Sequence, residues 1–240
     1  MILYANGCSH TAAAEAVVPA AFAVDDGKNG IDRRPHPLNL AASWCTHLAR
    51  DLDMDLVCDA ESASSNDRIA RTTREWIAAN PDQLQRVFMV IQWTSWEREE
   101  WLHNGTWYQV NSSGTDYVPK ELRERYREFV INVDWHTKTC KAHDQIRDLH
   151  EQLNQLAIPH LFYSAWSSFS AYPHEHIDWQ NSYIDPYNIQ ATYAAILQQN
   201  GFKATKWYHF DAKGHCFWAK YLLQYIKDNN LVTTHALSTD

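Results

Sequence analysis

Residues 87–93 read VFMVIQW. An apolar run of this length without polar alternation describes a strand covered on both faces, as in the middle of a parallel sheet. Working outward, residues 160–166 (HLFYSAW) repeat the pattern, residues 2–6 (ILYAN) begin the chain with it, and residues 54–58 give a shorter version. Residues 202–208 read as a weak last strand. Between these runs the spacing turns helical. Leu38, Leu40, Ala41, Trp44 and Leu48 predict a helix over 38–52, and 67–79 predicts another, closed by the turn signal Asn80-Pro81. Residues 10–16, 120–156 (with a break), 186–199 and 214–228 also read as helical, and 96–102 as a helical turn. Strands that alternate with helices imply an α/β fold, a three-layer sandwich around a central parallel sheet. The chain reads as one domain over 1–240, with a polar loop at 19–38 and a hairpin or surface insertion at 104–118. It carries no internal repeat and no low-complexity tract.

Bulk composition narrows the function classes. The chain has 240 residues, enough for a sizeable core, and a formal net charge of −8. Its basic residues are scattered, which argues against nucleic acid as a partner. No apolar run approaches the ~20 residues needed to span a bilayer. A strand beginning at residue 2 leaves no room for a signal peptide before it, so a cytoplasmic or virion location is expected. The five cysteines are dispersed and form no CxxC pair, as expected of reduced thiols. Eleven tryptophans and twelve tyrosines are many. Most are expected in the core, with Trp93, Trp96, Trp101 and Trp107 placed so that some would line a cleft.

The stretch after the first strand is Asn6-Gly7-Cys8-Ser9-His10-Thr11. It puts a serine on a glycine-containing turn at the carboxyl end of a strand, where α/β sheets build their sites. Ser9 has two readings there. It would cap the following helix, or it would be a nucleophile whose neighbouring amides steady an oxyanion.

Three further blocks favour the second reading. Ala63-Ser64-Ser65-Asn66-Asp67 follows the second strand, Gln92-Trp93-Thr94-Ser95-Trp96 follows the third, and His209-Phe210-Asp211-Ala212-Lys213-Gly214-His215 precedes the last helix. With Gly7-Cys8-Ser9, these blocks resemble, in order, the signature blocks of the SGNH (GDSL-type) hydrolase superfamily. The resemblance extends to a divergent branch of the kind encoded by bacteriophages. It implies a flavodoxin-like sheet and a serine esterase acting on small acyl esters, such as an acetyl on a carbohydrate, with no cofactor. It implies Ser9 as nucleophile, His209 as base, and oxyanion donors among Ser65, Asn66 and Ser95. Cys8 stands where the family usually has aspartate, Ser95 near its asparagine, and Lys206 where its aspartate would orient the histidine. The third triad role is therefore open, to be filled by a backbone carbonyl or a carboxylate from elsewhere. Asp211 with His215 is the rival acid–base pair. Cys8 itself, alternating with Ser9, is expected to point away from the cleft.

A contrasting expectation is a hydrolase-like fold that has lost catalysis and binds glycan or serves as a virion structural part. A carboxylate within reach of His209 or His215 discriminates the two. His174, Glu175, His176 and Asp178 have metal-ligand chemistry, but their polar, proline-flanked setting reads as a loop, and no metal is expected.

Overall fold

The computed structural model describes residues 1–22, 34–112, 118–173 and 175–232. In chain order the elements are β1 (Ile2–Asn6), α1 (Pro37–Ala41), α2 (Trp44–Asp51), β2 (Asp55–Cys58), α3 (Asn66–Ala79), β3 (Val87–Trp93), β4 (Glu99–His103), β5 (Thr106–Val110), α4 (Arg123–Ile131), α5 (Trp135–Gln155), β6 (His160–Ser164), α6 (Tyr193–Gln199) and α7 (Ala212–Asp228). Residues 23–33 of the expected 19–38 loop, residues 113–117 of the expected insertion, and His174 lie outside the described residues.

A four-stranded sheet runs in the order β2-β1-β3-β6, with every pair parallel. β3 is buried along its whole length, as its apolar run predicts. Alternation along the strands assigns the two faces. Leu3, Ala5, Phe88, Val90, Leu161 and Tyr163 meet α2, α6 and α7, with Trp44, Leu48, Leu197, Trp218 and Leu222. Tyr4, Val87, Met89, Ile91 and Phe162 meet α3 and α5, with Ile69, Ile146, Leu149 and Leu153. The result is the three-layer α/β sandwich expected. No helix among the described residues is long and apolar enough to cross a membrane.

Several local expectations give way to turn chemistry. The helix expected over 38–52 is two, because Ser43 restarts it: its Oγ accepts from Thr46 N at 3.2 Å as the cap of α2. The helical turn expected at 96–102 is instead β4. It pairs antiparallel with β5 around Asn104-Gly105, whose φ angles of 49° and 77° suit a tight hairpin. Only 193–199 of the expected 186–199 helix is α-helical, and 202–208 forms no strand. Residues 10–16 are turns, not a helix, with Ala13 and Glu15 at φ 53° and 64°. The last difference decides the site.

In a 2-1-3-6 sheet the strand order reverses between β1 and β3, so the loops leaving their carboxyl ends diverge and open a crevice. Ser9 follows β1, and Thr94–Arg98 follow β3.

Candidate functional site

The turn carrying Ser9 is held from both sides. Asn6 Nδ2 donates to Ile69 O at 3.1 Å and Thr72 Oγ1 at 2.9 Å, and its Oδ1 accepts from Gly7 N at 2.8 Å. Gln92, the one polar side chain of β3, offers its Oε1 to Cys8 N and to Thr11 Oγ1, each at 3.1 Å. A Cβ at Gly7 would collide with Thr11 Oγ1 and lie 2.8 Å from Gln92 Oε1, so only glycine fits. The chain then coils through Thr11 N→Cys8 O (2.9 Å), Ala12 N→Cys8 O (3.0 Å) and Ala14 N→Ser9 O (2.9 Å). Cys8 is buried with its Sγ 3.3 Å from Gln92. Ser9 is 8% exposed, and its Oγ meets only Cys8 Sγ, at 4.0 Å, among the described residues.

The left-handed φ angles at Ala13 and Glu15 swing the chain back under α7, where Ala212 N donates to Ala16 O at 3.2 Å. Left-handed φ is costly for residues with a Cβ, and such strain collects at functional sites. Here it delivers a carboxylate. His209 Nδ1 donates to Glu15 Oε2 at 2.9 Å, and Thr205 Oγ1 donates to the same oxygen at 2.8 Å. Thr205 also anchors the histidine loop, accepting from His209 N at 3.3 Å on its Oγ1 and donating its own N–H to His209 O at 2.7 Å. Residues 202–208 thus serve as a clasp rather than a strand. Glu15 is thus a carboxylate within hydrogen-bonding reach of His209, the feature that the sequence left open. Two signals could have pointed to it: it is the only acidic residue between Ser9 and Asp25, and it stands in an otherwise alanine-rich stretch.

The electrostatics follow from this contact. Burial pushes the Glu15 carboxyl up, but the hydrogen bonds from His209 and Thr205 outweigh it, and its pKa lies below the ordinary value. Burial lowers the His209 pKa below its ordinary value, against the opposing pull of Glu15. His209 is therefore neutral near pH 7. With its proton on Nδ1, its Nε2 is a free base. That nitrogen makes no hydrogen bond among the described residues.

The other candidate residues separate sharply. Asp211 and His215 form no acid–base pair. Asp211 Oδ1 caps α7 by accepting from Gly214 N at 2.9 Å, while His215 is buried and accepts from Trp44 N at 3.3 Å. Complete burial depresses the His215 pKa to about 3. Ser65 caps α3, its Oγ accepting from Arg68 N at 3.2 Å, and its N–H donates to Gln109 Oε1 at 3.0 Å. Its main-chain N–H is thus committed to Gln109, and its hydroxyl oxygen serves as the helix cap. The Ser95 hydroxyl donates to Glu97 Oε1 at 3.2 Å and is likewise engaged. Asn66 commits its side chain to Thr94, accepting from its N–H at 2.9 Å and donating to its O at 3.4 Å. The main-chain N–H groups of Ser9 and Asn66 remain, with no acceptor among the described residues.

The aromatics also fall differently from expectation. Trp93, Trp96 and Trp101 are core residues, Trp96 stacking on Phe169 at 4.6 Å, and Trp107 carries Arg71 over its ring. Trp166 instead packs against His10 and Tyr208. Trp166 Nε1 donates to His10 Nε2 at 2.6 Å, and the His10 ring lies 5.4 Å from that of His209. Trp207 and Tyr208, the two residues before His209, are 61% and 66% exposed. Among the described residues, no group of His, Cys, Asp or Glu side chains is placed to hold a metal ion.

None of the curated proteins compared with the chain matches it. Two solved structures are similar to it. One is a protein assigned to the lipolytic G-D-S-L family from Desulfitobacterium hafniense DCB-2, 11% identical, with a TM-score of 0.47 over 93% of this chain and 98% of that one. The other is an acetyl xylan esterase (Est2A) from the rumen bacterium Butyrivibrio proteoclasticus, 14% identical, with a TM-score of 0.48 over 95% of this chain and 64% of that one. A family model matches residues 28–231, most of the chain, and by that match the protein belongs to the Family of unknown function (DUF6071).

Proposed function

We propose that this chain is a serine ester hydrolase acting on small acyl esters. The observation that carries the reading is the 2.9 Å contact between His209 Nδ1 and Glu15 Oε2, with the His209 ring 5.4 Å from that of His10, the residue after Ser9. Ser9 Oγ attacks the ester carbonyl, and its proton passes to His209 Nε2. The developing oxyanion meets the free N–H groups of Ser9 and Asn66. Collapse expels the alcohol, protonated by His209. Water then cleaves the acyl-serine, with His209 again as base. Glu15 holds the imidazole in the Nδ1–H tautomer and stabilises the imidazolium. Ser9 Oγ and His209 are not hydrogen-bonded in the free protein; in this reading the bond forms in the substrate complex, where such contacts commonly tighten.

A second reading has a specific observation behind it. The exposed Trp207 and Tyr208 beside His209 offer a platform on which sugar rings could stack. Taken with the first reading, they suggest an acylated carbohydrate as the substrate; taken alone, a glycan-binding protein without catalysis.

The test is hydrolysis of 4-nitrophenyl acetate by the wild type, Ser9→Ala and His209→Ala, with folding checked by circular dichroism. The expected result is activity in the wild type that each substitution abolishes. A folded wild type inactive on this ester and on acetylated xylan would overturn the esterase reading in favour of glycan binding.

A further inference from the structure

Arg98 stands in the loop after β3, at the edge of the same crevice. It is half-buried, and its Nη1 donates to Ser64 O at 3.3 Å, which seats it against the turn that leads to Asn66. Its Nε is buried with no acceptor among the described residues. It shares a small hollow with Asn66, Asp67, Trp96, Lys138 and Lys141. The cations of that hollow differ in one respect. Lys138 is paired with Glu99, and Lys141 with Asp67 at 3.1 Å. Across the neighbouring helix face, Arg71 is paired with Glu100 at 2.7 Å. Arg98 has no carboxylate in ion-pair range among the described residues. Its neighbour Glu97 accepts from Ser95 through Oε1, while its Oε2 is buried with no hydrogen-bond partner among the described residues. The charge nonetheless acts within the site: burial is the main reason that the pKa values of His10 and His209 are low, and Arg98 lowers both further.

A half-buried guanidinium that is neither neutralised nor fully hydrogen-bonded is poorly placed for stability alone, because an unmet buried donor is costly. It is well placed for an incoming anion. A carboxylate fits the guanidinium fork in two hydrogen bonds and would satisfy the orphaned Nε. Through Ser64, Arg98 is tied to the turn that carries the Asn66 N–H, one of the two oxyanion donors of the proposed reaction, whereas Trp207 and Tyr208 directly precede His209, which would protonate the leaving alcohol. We infer that Arg98 is a specificity residue that selects esters carrying a carboxylate on the acyl portion. This inference rests on the esterase reading above.

The experiment compares three esters: 4-nitrophenyl acetate, mono-(4-nitrophenyl) glutarate with its charge on the acyl side, and 4-acetoxybenzoate with its charge on the alcohol side. The enzymes are the wild type, Arg98→Gln and Arg98→Lys. In the wild type, kcat/KM for the glutarate ester should exceed that for the acetate at least tenfold, mainly through KM, and the margin should shrink as salt is raised. Arg98→Gln should erase the margin, and Arg98→Lys should retain part of it. Equal wild-type rates on the acetate and glutarate esters would overturn the inference while leaving the esterase reading intact. So would an Arg98→Gln loss equal on both esters. A preference for 4-acetoxybenzoate would overturn the acyl-side placement. If the folded wild type hydrolyses none of the esters, calorimetric titration with monomethyl glutarate decides the matter. Binding that weakens at least tenfold in Arg98→Gln supports the anion site, and no binding to the wild type overturns it.

Discussion

Replacing Glu15 by glutamine isolates the contribution of one negative charge. The amide is nearly isosteric, and its oxygen can still accept from His209 Nδ1. Placed where Oε2 stands, the same oxygen can also still accept from the Thr205 hydroxyl. The tautomer of His209 is thus kept, while the charge that stabilises the imidazolium is lost. The Glu15 and His209 side chains are 19% and 15% exposed, so solvent screens the pair only in part. A hydrogen bond involving a charged group is worth about 1.5–3 kcal/mol, and about 1.4 kcal/mol corresponds to a factor of ten. Glu15→Gln should therefore lower kcat about 10- to 150-fold. The pH profile gives a second readout. His209 must be neutral to act as base, so activity is present above its pKa and lost as pH falls through it. Burial already places that pKa below the ordinary value, and Glu15 opposes the shift. Without the carboxylate, the acid limb should move to still lower pH, although the plateau rate has fallen. The assay is hydrolysis of 4-nitrophenyl acetate from pH 4.5 to 8.5, with far-UV circular dichroism at each pH. A Glu15→Gln enzyme with unchanged kcat and an unchanged acid limb would refute the role assigned to Glu15.

Other consequences are simpler to measure. Gly7→Ala would force a methyl against Thr11 and Gln92; overpacking of this kind costs about 1–3 kcal/mol. A urea melt should register that loss, together with reduced activity as the Ser9 turn shifts. Ser65→Ala removes the cap of α3 and should cost about 1 kcal/mol in the same melt, with kcat retained; a hundredfold fall in kcat would instead make Ser65 an oxyanion donor. Burial lowers the pKa values of His143 and His160 to about 4. Both imidazoles stay neutral in the folded protein, while the unfolded chain takes up their protons below about pH 6.5. Stability should therefore fall as pH drops from 6.5 towards 4, by about 2 kcal/mol per group at pH 5. Urea midpoints that do not differ between pH 7.5 and pH 5 would contradict this.

Much of the architecture was legible in the sequence because it is written in local periodicity. The apolar run at 87–93, the start at 2–6 and the run at 160–166 all became strands, and the span closed by Asn80-Pro81 became α3 within a residue of its expected limits. The position of Ser9 beyond β1 was equally readable, since a strand end followed by glycine leaves few alternatives. What failed was local structure decided by single side chains at a distance. Ser43 split a helix, Asn104-Gly105 turned an expected helical segment into a hairpin, and Thr205 made a clasp of an expected strand.

The candidate site divides along the same line. The resemblance of ordered sequence blocks nominated Ser9, Asn66 and His209, and the sequence by itself determined that these follow β1, follow β2 and precede the last helix. Tertiary structure decided their company. Glu15 and His209 are 194 positions apart, and Ala12-Ala13-Ala14-Glu15-Ala16 has strong helical propensity, which would carry Glu15 along a helix. Two left-handed φ angles override that propensity. They are held by packing under α7 and by the hydrogen bonds that Glu15 receives from His209 and Thr205. Propensity is a sum of small local terms, whereas this turn answers to a part-buried hydrogen-bond network that exists only once the chain has closed on itself.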